Sequence, residues 1–96
     1  MRRAAKVDDN HARIVTVLRQ VGAHVISVSG LPGALDILVA YRGTLTLMEI
    51  KDGAKKPSDR KLTEKEQQTI AALAACGVVA PVVLNEDDAL RAIGAL

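Results

Sequence analysis

Asp36, Glu49 and Lys51 are the residues whose types and spacing could do chemistry. Glu49 and Lys51 lie two positions apart, so an extended chain projects both from one face together with Leu45 and Leu47. Thr46, Met48 and Ile50 take the other face. A carboxylate on a face whose earlier members are apolar needs a partner, because burying an unpaired charge is prohibitive. The hairpin register supplies a neighbour. With Arg42-Gly43 as a two-residue turn, Tyr41 pairs with Thr44, and the same register opposes Asp36 to Glu49. Directly opposed residues hold their β-carbons roughly 4.5–5.5 Å apart, where like charges repel. Such a pair is tenable with a divalent cation between the carboxylates, or with one of them protonated. Magnesium fits this donor set: one or two carboxylates commonly hold it, with water and phosphate oxygens completing the octahedron. Manganese can substitute. Lys51 points toward the same cation and substrate, where it can orient or help deprotonate an attacking water, or neutralise charge on phosphoryl oxygens. Taken singly, Asp36 reads as a strand-start residue and Glu49–Lys51 as a surface ion pair. One register places all three on one face, and a one-residue slip would undo it.

The elements that must position these residues follow from periodicity and turn chemistry. A helix is expected from about Asp8 to Val21, with Ile14, Leu18 and Val21 on one stripe and Val17 at its edge, stopped by Gly22. His24 to Ser29 alternates as a strand, with Ile26 and Val28 on one side. After the turn Gly30-Leu31-Pro32-Gly33, the apolar run through Tyr41 behind Asp36 has the pattern of a strand covered on both faces. Thr44 to Lys51 is the third strand, and Lys55 to Lys61, broken by Pro57, is loop. Thr63-Glu64-Lys65-Glu66 is a capping box that opens a helix carrying Ile70 and Leu73 inward and ending at Gly77. Val78 to Leu84 is another strand, and Asn85 caps a final helix with Leu90 and Ile93 inward. The order is α-β-β-β-α-β-α, a mixed α/β (α+β) sheet flanked by helices in one domain, residues 1–96.

Composition narrows the function classes. The 96 residues are 49% hydrophobic with no Phe or Trp and one Tyr. The core is therefore aliphatic, and a binder that stacks unpaired bases on aromatic platforms is disfavoured. No apolar run is long enough to cross a bilayer, the amino terminus is not a secretory signal, and the one cysteine, Cys76, permits no internal disulfide. A cytoplasmic location is the expectation. The net charge of +2 is unevenly spread. Lys51, Lys55, Lys56, Arg60, Lys61 and Lys65 outweigh Asp52, Asp59 and Glu64, a local excess suited to a polyanion, though for charge alone a solvated loop is the simpler reading.

Asp36, a short hairpin and Glu49-Ile50-Lys51 resemble the core of the PD-(D/E)XK nuclease superfamily. The nearer likeness is to its small VRR-NUC members, which are similar to archaeal-type Holliday-junction resolvases and common in phages. The likeness extends over Asp8-Asp9-Asn10 leading into Ile14-Val15, Pro32 to Val39, Met48 to Gly53, and Pro57 to Thr63 with Glu66-Gln67. Leu35 replaces the proline of the family name. The resemblance implies a restriction-endonuclease-like core and a magnesium-dependent phosphodiesterase that cuts DNA in the cytoplasm of a bacterial or phage-infected cell. It implies Asp36, Glu49 and the Ile50 carbonyl as metal ligands and Lys51 as the catalytic lysine. A glutamine on the following helix assists in such proteins; Gln67 is the candidate, with Glu66 as the alternative alignment. An acidic first-helix residue often touches the metal, and here Asp9 or Asn10 stands nearest. Stand-alone members tend to be homodimers that act on branched DNA, flaps or four-way junctions.

Lys55, Lys56, Arg60 and Lys61 follow the active-site strand and can hold the DNA backbone without reading bases. Gly33 can let the backbone approach a phosphate, though a plain strand connection is as good a reading. Arg2, Arg3 and Lys6 can form a basic arm. His11 and His24 read as structural or surface residues, and Cys76 as a small core residue. Gly30 to Gly33 lacks a Gly-Lys-Ser/Thr ending, so no nucleotide cofactor is expected. Competing readings are a non-catalytic DNA-binding or assembly module that retains the fold, and a small α/β protein–protein adaptor.

Overall fold

Arg42 and Gly43 turn the chain with φ of 47° and 82°, the pair of positive angles that a two-residue hairpin turn requires. The Arg42 guanidinium lies over the Tyr41 ring, 5.2 Å from its centroid. This turn fixes the register of β2 (Ile37–Tyr41) against β3 (Thr44–Ile50), which runs antiparallel from Tyr41↔Thr44 to Ile37↔Met48 as expected. The computed structural model describes residues 9–96; Asp8 and the basic residues Arg2, Arg3 and Lys6 lie outside them. β1 (His24–Ser27) pairs antiparallel with β2, and β4 (Val82–Val83) pairs parallel with β3. The sheet is mixed, in the order β1-β2-β3-β4. With α1 (His11–Gln20), α2 (Glu64–Ala75) and α3 (Glu86–Ala92), the chain follows the expected order, and a 3-10 turn at Pro57–Asp59 breaks the loop before α2.

One face of the sheet carries Val25, Ile37, Val39, Met48 and Ile50, all buried. α1 and α3 close over it, contributing the fully buried Ile14, Leu18 and Ala89, with Val15, Leu90 and Ile93 packed at the margin. α1 begins at His11 and ends at Gln20, so Val21 falls beyond the helix, 37% exposed, and leaves the inward stripe assigned to it. In β1, Val25 is the inward residue and Ile26 is 46% exposed, on the opposite face.

That opposite face is only partly covered. Leu38 and Ala40 are half-buried, which corrects the expectation of a β2 covered on both sides. The cause lies in α2. Its capping box forms as expected, but the helix has no fully buried residue; Ile70 and Leu73 are half-buried, and its alanines are too short to reach far. Cys76, just past the helix, is exposed rather than in the core. β4 is confined to two residues, with Val79 upstream 82% exposed. Pro81 accepts from the Glu49 amide at 3.0 Å but has no N–H to donate. Among the described residues no helix is long and apolar enough to cross a membrane.

Candidate functional site

Alternation along β3 sends Met48 and Ile50 into the core and Glu49 to the partly covered face, where the side chain is only 3% exposed. Lys51 follows on the same side, its Nζ 3.4 Å from Glu49 Oε2. The same ammonium lies 2.9 Å from Glu66 Oε1. Glu66 reaches it because the capping box sets its geometry: Thr63 Oγ1 accepts from the Glu66 amide at 3.1 Å, and Glu66 Oε1 accepts from the Thr63 amide at 2.8 Å. One carboxylate oxygen thus both caps α2 and holds the lysine.

Asp36 stands where the β2–β3 ladder ends. In-register pairing stops at Ile37↔Met48, one step short of the Asp36–Glu49 opposition read from the sequence. The Asp36 amide donates instead to the Met48 carbonyl at 3.0 Å, and Asp36 Oδ2 accepts the Ile50 amide at 2.7 Å. A side-chain carboxylate takes the place that a backbone carbonyl would fill at that position of β3. The site then comprises Asp36, Glu49, Lys51 and Glu66.

Its electrostatics are those of crowded carboxylates. Burial pushes the Glu49 carboxyl up to about 9, reinforced by a side-chain hydrogen bond with Glu66 and the charges of Asp36 and Glu66, and only partly offset by Lys51. Burial works against the charge of Lys51, but the Glu66 and Glu49 carboxylates outweigh it and raise the ammonium above its ordinary value. Burial likewise opposes the Glu66 charge, yet Lys51, the Thr63 amide and Glu49 together lower it. The Glu49 carboxyl thus keeps its proton first because it is buried and only secondarily because other acids stand near it. Among the described residues no cluster of three or more His, Cys, Asp or Glu side chains is arranged to hold a metal. The oxygen donors the site offers are the Asp36 and Glu49 carboxylates, hard groups of the kind that hold magnesium together with water and phosphate oxygens.

The remaining candidates divide. Gln67 is exposed, and its Nε2 donates to the Leu62 carbonyl at 3.2 Å, so Glu66 rather than Gln67 joins the site. Asp9 is exposed. Asn10 is buried, and its Nδ2 donates to the Lys51 carbonyl at 3.2 Å and the Leu84 carbonyl at 3.0 Å. The Ile50 side chain is in the core, and its amide is the group that Asp36 holds. Lys56 and Lys61 are exposed, Lys55 is half-buried, and Arg60 Nη1 donates to the Gly53 carbonyl at 3.3 Å. Gly33 has φ 76°, and its carbonyl accepts from Thr69 Oγ1 at 2.8 Å, which ties the loop before Asp36 to α2.

Residues singled out only as parts of the motif turn out to shape the end of β3. Asp52 is 6% exposed and its Oδ1 accepts from the Ala54 amide at 2.9 Å. Gly53 passes so close to Leu84 that a β-carbon there would lie 2.8 Å from the Leu84 carbonyl oxygen. Asn10, Arg13, Asp52, Gly53 and Arg60 help to line a cleft of about 310 Å³ beside this strand end. The succession Lys51-Asp52-Gly53 was the available signal, since an Asp followed by a glycine favours a turn that ends a strand.

No protein-family model matches the chain, and no curated protein matches it. Among solved structures, one described as a VRR_NUC domain is similar to it, with 23% identity over 88% of this chain and 94% of that one and a TM-score of 0.61. At that identity the likeness establishes the fold alone: a mixed sheet with three helices, arranged as in that VRR_NUC domain structure.

Proposed function

We propose that this chain is a magnesium-dependent endonuclease that hydrolyses DNA phosphodiester bonds. The observation that carries the reading is the Lys51 ammonium held between Glu49 and Glu66, at the strand end where Asp36 grips the Ile50 amide. Asp36, Glu49 and the Ile50 carbonyl would hold the ion, which supplies Lewis-acid polarisation of the phosphate and activation of water. Lys51 acts as a fixed positive charge that orients the nucleophile and offsets charge growing on the phosphoryl oxygens. Glu66 keeps that charge in place. Lys55, Lys56, Arg60 and Lys61 hold the backbone on either side of the scissile bond, which gives binding that weakens steeply with salt and reads little sequence.

The preferred substrate is branched, flapped or four-way-junction DNA, cut by a homodimer. The open part of the sheet face beyond α2 supports the assembly. Ile26 and Leu45, 46% and 63% exposed, stand on it beside the half-buried Leu38 and Leu47, an apolar surface that phosphates would not cover and a second copy would. The test is incubation with duplex, flap and four-way-junction DNA, with and without magnesium, beside the Glu49→Ala variant. Cutting that needs magnesium and disappears in the variant is expected. Cutting that persists undiminished in Glu49→Ala, or binding without any cutting, would favour the non-catalytic DNA-binding module.

A further inference from the structure

Asn10 is 1% exposed at the start of α1, and its amide is spent in an unusual way. Nδ2 donates to the Lys51 carbonyl at 3.2 Å and the Leu84 carbonyl at 3.0 Å, while Oδ1, equally buried, has no donor among the described residues. The two carbonyls fix the orientation, because the flipped amide would set oxygen against oxygen. A position chosen for packing alone would be apolar, since a buried acceptor without a donor is destabilising.

The two accepting carbonyls belong to strand ends that run side by side past the site. The Lys51 amide donates to Val83 at 3.0 Å and the Gly53 amide to Leu84 at 2.9 Å. Asn10 closes this ladder from the helix layer and fixes the peptide that follows Lys51. We infer that Asn10 is a positioning residue: it fastens the exit of β3, and through it the Lys51 side chain and the neighbouring Ile50 peptide, in the geometry that cutting requires. The first helix thus contributes through the backbone rather than by touching the ion. This inference rests on the nuclease reading.

The test compares Asn10→Leu, branched at the same atom but without the donors, with Asn10→Ala in case the larger leucine does not fit. Ile93→Ala, at the margin of the core, serves as a destabilised control. Hydrogen exchange is read first. The Lys51 and Gly53 amides should lose protection about tenfold or more while the β2–β3 hairpin amides hold theirs, whereas a general loss of stability would affect all of them together. Cutting should fall about ten- to a hundredfold, the usual cost of removing a supporting partner behind a metal site. KM for DNA should stay unchanged because Asn10 is buried, and Ile93→Ala should keep its rate at temperatures where it is folded. Unchanged protection of Lys51 and Gly53, or an undiminished rate in both Asn10 variants, overturns the proposal. An unmodified protein that never cuts DNA while the exchange effect is present would instead overturn the nuclease reading, and with it any catalytic purpose for Asn10.

Discussion

The two faces of this sheet are built to different rules. The face under α1 and α3 is closed and aliphatic, with Ile14, Leu18, Ile37, Val39 and Met48 at or near zero exposure. The face toward α2 is half open, and there Glu49 is buried among other acids while Leu45 stands in solvent. Both faces come from the same strands, whose alternation sends Met48 to one and Glu49 to the other. The closed face can therefore supply stability while the open one spends some of it on a crowded charge cluster, as sites that need fixed polar groups do.

That division breaks if substitutions on the two sides have the same consequences. The largest effect is expected on the open face: Lys51→Ala lowers the cutting rate by about 10²–10³-fold with little change in melting temperature. Leu18→Ala, on the closed face, removes about 2–5 kcal/mol of stability, yet the rate per folded molecule holds, as denaturant titration beside rate measurement would show. If Leu18→Ala cuts poorly while fully folded, or Lys51→Ala melts far lower, the faces are not separable.

A subtler effect sharpens the contrast through pH. The Glu49 carboxyl is raised from 4.5 to about 9 in the fold. Its contribution to stability is therefore fully present below the unfolded value and is lost as pH rises through about 9. Melting of the metal-free protein should decline across that window, flatten in Glu49→Gln, and recover at high pH on adding magnesium. A profile unaffected by Glu49→Gln would remove the crowding argument. The smallest effect is expected for Leu45→Ser, which should change monomer stability by no more than about 0.5 kcal/mol. Sedimentation should nevertheless show it shifting a dimer toward monomer if the open apolar face is the contact.

Much of this was legible from local rules. Arg42-Gly43 fixes a register that alternation then carries to Glu49 and Lys51, and Thr63 with Glu66 announces the start of α2 before any tertiary contact is known. What escaped depends on distances between elements. Whether Glu66 or Gln67 meets Lys51 is decided by how α2 is rotated against β3, about 100° per residue, and only the assembled fold sets that angle. The bonds of the Asn10 amide to the Lys51 and Leu84 carbonyls likewise exist only once those strand ends are brought beside α1. The exposure of Val21 and Ile26 follows from where α1 ends and which face of β1 the helices cover, neither of which periodicity alone determines.

The double engagement of Glu66 joins two events that are separate in most proteins. Fraying at the beginning of a helix is ordinarily harmless, because solvent satisfies the freed amides. Here the first loosened turn would carry away one of the anchors of Lys51, so local melting at Thr63 and disarming of the proposed reaction centre become one motion. Thr63, whose own bonds go to Glu66, should thus prove as sensitive to substitution as a residue lining the centre itself.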